Sequence, residues 1–414
     1  MQPAPSNLAA VIQLIWTEGE ISRAEVARRC DLSRSTVSAL VQQLIDLGGV
    51  REARVGPSQG GRPPVMLRFE HDRFRMIGLD IGATHLTALV MDPRGRTLSR
   101  ASVACPVESD PPGTLRKIDQ LLAEVQAKAS LSAGQLLGIG VAVPCPVHPS
   151  TPGRLSPSIL PAWRDIDLGA TLSQRWAVPT YLENDANLGA LGELYWGQGR
   201  GAGDFAYVKL ATGVGAGLII DGDIYRGGQG IAGEIGHTAI DAQGPPCRCG
   251  LFGCLEAMIG SKAIESDFLA LRLQQGTDPK KPAPDLGSIS AAAAAGDPLA
   301  VAVIERAGHH LGVALANLLN IVNPSRIVLS GRLTLAGEAL LAPLNRAIQA
   351  RTMWTNVAAA DVVISSLGDD AIPLGAATLV LRTALADPTR LSLGLPTSVP
   401  RRQFVGVGGP PPTP

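Results

Sequence analysis

The sequence predicts an α/β protein in two parts: a winged helix-turn-helix over residues 1–70, then a two-lobed α/β body over residues 76–385. Two observations carry this reading. The first 70 residues hold three apolar stripes at helical spacing followed by two short extended segments. Further on, a strand, a glycine turn and a second strand occur twice, at 76–92 and again at 205–220, as expected of two related lobes.

In the first part, Leu8, Val11, Ile12 and Ile15 mark a helix over residues 7–16. Ser22, with Glu25 three positions on, fits a capping box and opens a second helix that runs to about Cys30. After the turn Asp31-Leu32-Ser33, a third helix is predicted from Arg34 to Leu47, with Val37, Leu40, Val41, Leu44 and Leu47 on one face and Gly48-Gly49 as its stop. Val50–Val55 and Val65–Phe69 then form a β-ribbon, the wing. In the body, residues 115–129 read as a helix, 136–143 as a buried strand, and another strand ends near Glu183. Asp297-Pro298 fits an N-cap followed by proline in the first helical position, opening a helix to about Leu319 that precedes a strand at 326–330. Residues 275–287 read as a surface loop. The tail 386–414 carries seven Pro and four Gly and is expected to be disordered.

Composition narrows the function classes. Apolar residues make up 45% and charged residues 17%, the balance of a globular chain. Lys+Arg and Asp+Glu are both 36, which excludes nucleic-acid binding by bulk charge while allowing a local basic face. Of the basic residues six are Lys and thirty are Arg. No apolar run approaches the ~18 residues of a membrane span, so no membrane partner is expected. The N-terminal stretch lacks a basic leader, and the expected location is the cytoplasm.

A helix that reads the major groove needs short polar side chains on its first turns and an apolar back. Arg34, Ser35, Thr36 and Ser38 supply the former, and the valine and leucine stripe supplies the latter. Arg54 and Arg62 on the wing add basic contacts, Arg62 being suited to a minor groove. Residues 23–68 contain eight Arg against four acidic residues, so this segment is basic within a neutral chain. The expected partner is double-stranded operator DNA.

Three of the six cysteines, Cys247, Cys249 and Cys254, fall within eight residues, and His237 precedes them. Three thiolates and an imidazole make the tetrahedral donor set of a structural zinc site, with no position left open for hydrolytic chemistry. Glu183-Asn184-Asp185-Ala186-Asn187 ends a strand with a dense polar cluster. Asp185 there could take a proton from a ligand hydroxyl and Asn184 could orient it, or the group could simply cap the next helix. Glu234, His237 and Glu256 flank the cysteines and could bind hydroxyls of one polyol. The turns Asp80-Ile81-Gly82-Ala83-Thr84 and Thr212-Gly213-Val214-Gly215 could cradle phosphate, with Asp80 holding Mg²⁺ through water.

Together these motifs resemble the ROK family of repressors, open reading frames and sugar kinases. The resemblance spans roughly residues 7–385. It rests on DIGAT at 80–84, ENDAN at 183–187, TGVGAG at 212–217 and ExGH-x9-CxCGxxGCxE from Glu234 to Glu256. It implies a two-lobed, actin-like (ribonuclease H-like) ATPase fold, preceded by the winged helix of the repressor branch. It further implies zinc on His237, Cys247, Cys249 and Cys254, and a sugar site lined by Asn184, Asp185, Glu234, His237 and Glu256. In a kinase member Asp185 would be the catalytic base, with ATP and Mg²⁺ held near Asp80, Gly82, Thr84, Thr212, Gly213 and Gly215.

Several positions depart from the kinase pattern. Ala83 replaces the second glycine of the first turn, and His85 stands where lysine is common. Cys145 replaces a glycine beside the sugar, SPSILPAW at 156–163 lacks an asparagine used on the sugar, and Arg332 brings bulk toward the nucleotide. Two readings follow. The first is a transcriptional regulator, most simply a repressor, in which a homodimer or dimer of dimers binds operator DNA and a sugar or sugar derivative controls its affinity. The alternative is an ATP-dependent sugar kinase using Asp185, alone or combined with regulation.

Overall fold

A computed structural model describes residues 6–56, 63–132, 134–157, 159–276, 284–352 and 361–394. The chain divides into two units, one formed by residues up to Phe69 together with those from Asp387 onward, the other by Glu70–Ala386.

The first unit contains α1 (Asn7–Glu18), β1 (Ile21–Ser22), α2 (Arg23–Arg29), α3 (Arg34–Asp46), β2 (Val50–Val55) and β3 (Val65–Phe69). Each helix starts on a serine whose hydroxyl accepts a backbone N–H three residues on: Ser6 from Ala9, Ser22 from Glu25, Ser33 from Thr36. The predicted capping box forms only on this side. The Glu25 carboxylate turns instead to the guanidinium groups of Arg28 and Arg29. The strands pair in the order β1-β3-β2. Val11, Ile12, Ile15, Val26, Val37, Val41, Leu44, Leu67 and Phe69 are buried, which is the apolar stripe the sequence displays. Leu40 and Leu47 are only partly buried.

The chain returns to this unit at its far end. Pro388–Gly394 forms a 3-10 segment, and Leu391 is fully buried. A Cβ added to Gly49 would lie 2.6 Å from Leu391 Cδ1 and 3.2 Å from Ile12 Cδ1. The expectation of disorder from residue 386 is therefore corrected for 387–394, where one leucine finds an apolar seat that proline content does not reveal. Residues 395–414 lie outside the described residues.

The second unit begins with β4 (Arg75–Ile81), β5 (His85–Met91), β6 (Thr97–Ala104), α4 (Pro111–Lys128), β7 (Leu136–Val143), α5 (Leu168–Trp176) and β8 (Thr180–Asn184). It continues through α6 (Asp185–Trp196), β9 (Phe205–Leu210), β10 (Val214–Ile220), β11 (Asp223–Ile224), α7 (Leu255–Ile259), α8 (Ser261–Gln274) and α9 (Leu286–Ala294). It closes with α10 (Pro298–Val322), β12 (Arg326–Ser330), α11 (Glu338–Arg351), β13 (Asp361–Ile364) and α12 (Ala371–Ala386). The helix at Leu286 takes the last two residues of the predicted 275–287 loop, because Asp285 caps it by accepting from Ser288 N.

The strands form two five-stranded sheets, β6-β5-β4-β7-β8 and β11-β10-β9-β12-β13. In each, the first three strands in sequence form an antiparallel meander and the last two add in parallel. The two predicted lobes thus share one connectivity. The inner strand β4 is buried from Met76 to Ile81 because both faces are covered, whereas the edge strand β6 alternates buried and exposed residues. Helices α6 and α12 pack closely on each other, α12 against β4 and β7, and α6 against β9 and β10. Glycine permits this approach: a Cβ at Gly375 of α12 would collide with the Leu188 carbonyl of α6. By length and composition α10 alone among the described helices could cross a membrane. Its apolar face, Val303, Ile304, Leu311, Leu315 and Leu319, is buried in the core of the second lobe.

Candidate functional site

In the first unit, α3 presents Arg34, Ser35, Thr36 and Ser38 to the exterior, and Val37 to the core. The hydroxyls are held locally. Ser33 Oγ lies 2.8 Å from both Ser35 Oγ and Thr36 Oγ1, and Ser38 Oγ donates to the Arg34 carbonyl at 2.9 Å. The first turn is therefore a preset array of small polar groups. Arg54, on the wing, is exposed and bonded to Glu20 Oε2 at 2.9 Å. Arg62 lies outside the described residues.

In the second unit, the loop after β11 gathers the predicted metal ligands. One donor atom each from His237, Cys247, Cys249 and Cys254 falls within 4.8 Å of every other. Cys249 Sγ and Cys254 Sγ are 3.7 Å apart, and Cys247 Sγ is 3.6 Å from His237 Nδ1. Donors about 2.0–2.3 Å from a shared tetrahedral centre stand about 3.5–3.8 Å from one another, so these spacings suit one metal ion. Short bridges, Ala239 to Cys254 and Pro246 to Phe252, set the loop. Gly253 is at φ +69°, and a Cβ there would meet the Asp241 carbonyl, so the turn admits only glycine.

The carboxylate cluster forms beside this loop. Asn184 N-caps α6, its Oδ1 accepting from Ala186 N and Asn187 N at 3.0 and 3.2 Å. The capping alternative thus holds for that oxygen, leaving the side-chain amide nitrogen for other partners. Glu183 is structural as well: Oε1 accepts from Asn184 N and Asn187 Nδ2, and Oε2 from Arg226 Nε. Asp185, in the first turn of α6, is nearly buried and sits within the field of Glu234, which also feels His237, Glu256 and Arg248. Burial foremost, with Asp185 and Glu256 adding to it, raises the Glu234 pKa against the opposing pull of His237 and Arg248. Glu256 is engaged, with Oε2 accepting from Val214 N at 3.0 Å and Oε1 from Arg248 Nε at 2.8 Å. Cys145 is buried close to Asp185 and Glu234, and burial pushes its thiol up to about 11.

The predicted phosphate turns open on a cleft of about 660 Å³ between the two lobes of this unit, lined by Asp80, Thr84, Lys209, Thr212 and Arg332 among others. Gly82 lies in the β4–β5 turn, Gly213 in the β9–β10 turn, and Gly215 on β10. Gly213 packs against the Glu256 carboxylate, so the second turn is tied to the ligand cluster. Arg332 Nη1 stands 3.8 Å from Asp285 Oδ2 at the cleft edge.

Sequence reasoning missed three charged residues: Arg226 on Glu183, Arg248 on Glu256, and Lys209, whose Nζ donates to Asp185 Oδ2 at 2.6 Å. A signal existed for Lys209, a lone lysine in the apolar run FAYVKL just before the second glycine turn.

The ROK family profile matches residues 76–383, and a winged helix-turn-helix DNA-binding profile matches residues 9–51. The chain belongs to the ROK family. It is 31% identical over 389 residues to the xylose repressor of Caldicellulosiruptor bescii, covering 92% of this chain and 97% of that one. It is 33% identical to the DNA-binding transcriptional dual regulator NagC of Escherichia coli, covering 92% and 93%. A solved ROK family transcriptional regulator, described as a homologue of the E. coli MLC protein, superposes with a TM-score of 0.80 at 27% identity, covering 94% of this chain and 98% of that one. This ROK protein is thus a DNA-binding transcriptional regulator built from a winged helix-turn-helix and a sugar-kinase-type α/β body.

Proposed function

We propose that this ROK regulator is a repressor whose affinity for operator DNA falls when a sugar or sugar derivative binds between its lobes. The observation that carries this is Glu234 and His237 on a loop where three cysteines converge, with Glu256 in the first turn of α7 just beyond it and Asp185 within electrostatic reach of Glu234. Closely set acceptors suit a ligand with several adjacent hydroxyls, the pattern of an aldose. The names of the relatives, a xylose repressor and a regulator whose counterpart in another E. coli strain is named the N-acetylglucosamine repressor, support a pentose or an N-acetylhexosamine as the class.

His237, Cys247, Cys249 and Cys254 would hold a zinc ion, which would tie the loop that carries Glu234 to the start of α7, which carries Glu256, and take no part in chemistry. His237 Nδ1 belongs to that cluster, which leaves Nε2 for a ligand hydroxyl. On the DNA side, Arg34, Ser35, Thr36 and Ser38 would face base edges, and Arg54 and Arg62 the backbone or minor groove. A homodimer would place two such helices on a two-fold operator in the cytoplasm. Coupling requires the sugar to bind the operator-free state more tightly than the bound state.

A thermal-shift screen of xylose, glucose, N-acetylglucosamine and their phosphates, followed by operator gel shifts with the hit, tests this. A sugar that raises the melting temperature and weakens the operator shift supports it. No response to any aldose, or a sugar that strengthens operator binding, sinks it.

A further inference from the structure

Phosphoryl transfer in this cleft would need two carboxylates, Asp80 to hold Mg²⁺ through water and Asp185 to take the hydroxyl proton. Asp185 is already bonded to a side chain of this chain, and Asp80 faces one. Lys209 Nζ, from the inner strand of the second lobe, donates to Asp185 Oδ2 at 2.6 Å, with only 18% of its side chain exposed. Burial works against its charge, yet the attraction of Asp185 and Asp80 overcomes that cost, and the Lys209 pKa stands above the usual lysine value. Asp80 is buried, with Oδ1 lacking a hydrogen-bond partner among the described residues and Oδ2 3.6 Å from His85 Nε2. The imidazole of His85 also lies over the first glycine turn: a Cβ on Gly82 would stand 2.6 Å from His85 Cε1. The backbone that could cradle a phosphate is covered by a ring.

We propose that Lys209 is a resident cation of the interlobe cleft, so that magnesium-bound nucleotide is excluded and Asp185 serves as a hydrogen-bond acceptor for a ligand hydroxyl. A carboxylate held by an ammonium still has lone pairs free to accept hydrogen bonds. A second cation brought beside Asp80 and Asp185 would meet the ammonium as a like charge in a poorly solvated site. His85 closes the first turn from the other side. The family fold thus keeps its cleft while the magnesium–nucleotide group does not fit the residues present. The role given to Asp185 rests on the sugar-effector reading. The exclusion of nucleotide does not.

The test is isothermal titration of Mg·ADP into the full-length protein without sugar, compared with Lys209→Thr and with Lys209→Met, which keeps much of the length and loses the charge. Circular dichroism and gel filtration check that the variants fold. The expected result is no binding by the natural chain at 1 mM nucleotide, and binding at least tenfold tighter in both variants. Two results would overturn the proposal: micromolar binding by the natural chain, whatever the variants do, or variants that fold and still fail to bind. Binding by the natural chain that weakens in Lys209→Thr would make the lysine a phosphate ligand instead. Because no sugar is present, a wrong effector class leaves this outcome unaffected.

Discussion

In the proposed function Asp185 and the cysteine loop do separable work, and single substitutions distinguish them. Asp185→Asn removes the anionic acceptor while keeping the shape, so sugar affinity should fall at least tenfold with operator binding retained in the absence of sugar; calorimetry and gel shifts read the two halves. Cys249→Ser removes the one exposed thiol of the candidate metal-binding group. Its bound-metal content, read by elemental analysis, should drop by about one ion per chain, and the sugar-induced melting shift should shrink with it. Intact metal content, or intact sugar response after metal loss, would remove the cluster from the proposed role. At this scale the sequence was most legible where ligands are neighbours in the chain. His237 and the three cysteines announce themselves by spacing and chemistry. Lys209 does not, because its partner lies 24 positions away on a different element, and pairing across elements leaves no periodic trace. The same holds for Arg226 and Glu183, 43 positions apart.

Among the elements, α3 depends on its N-terminal cap and α6 carries a buried carboxylate. Ser33→Ala removes the hydroxyl that caps α3 and ties Ser35 and Thr36 in place, and should cost about 0.5–2 kcal/mol of stability in the DNA-binding unit. Arg34→Ala should weaken operator binding by about 1–3 kcal/mol and relax specificity at the base pair it faces, which gel shifts with single-base operator variants check. Glu193, fully buried on α6, accepts from Ser365 Oγ and Gln198 N, and burial raises its pKa despite both donors. A raised folded-state pKa means the folded protein holds this proton more tightly than the unfolded chain. Its contribution therefore falls as pH climbs from the ordinary glutamate value through the raised one. Relative to Glu193→Gln, the melting temperature of the natural protein should decline over that window; parallel curves would contradict it. The periodic elements were legible: β2, β3, β7 and β12 lie where alternation or apolar runs place them. The edge strand β6 was not, because its exposed Ser and Arg residues dilute the signal, and α4 begins at Pro111, where the cap on Asp110 rather than any stripe sets the start.

In the molecule as a whole, two lobes repeat one connectivity and a small DNA-binding unit draws on both ends of the described chain. The repeat was foreseen from two glycine turns. The return of the chain was not, since a single leucine among prolines carries no pattern. Leu391→Ala should destabilise the winged-helix unit by about 2–5 kcal/mol while the unit formed by Glu70–Ala386 keeps its melting transition. Calorimetry resolving the two transitions checks this.

The position of Leu391 also orders events during synthesis. A ribosome makes α3 before the body, and the leucine that seats in the same unit's core only after it. Nascent chains therefore carry a reader that is not yet complete, and only after the body has emerged can it be sealed. Prematurely terminated products would compete poorly for the operator.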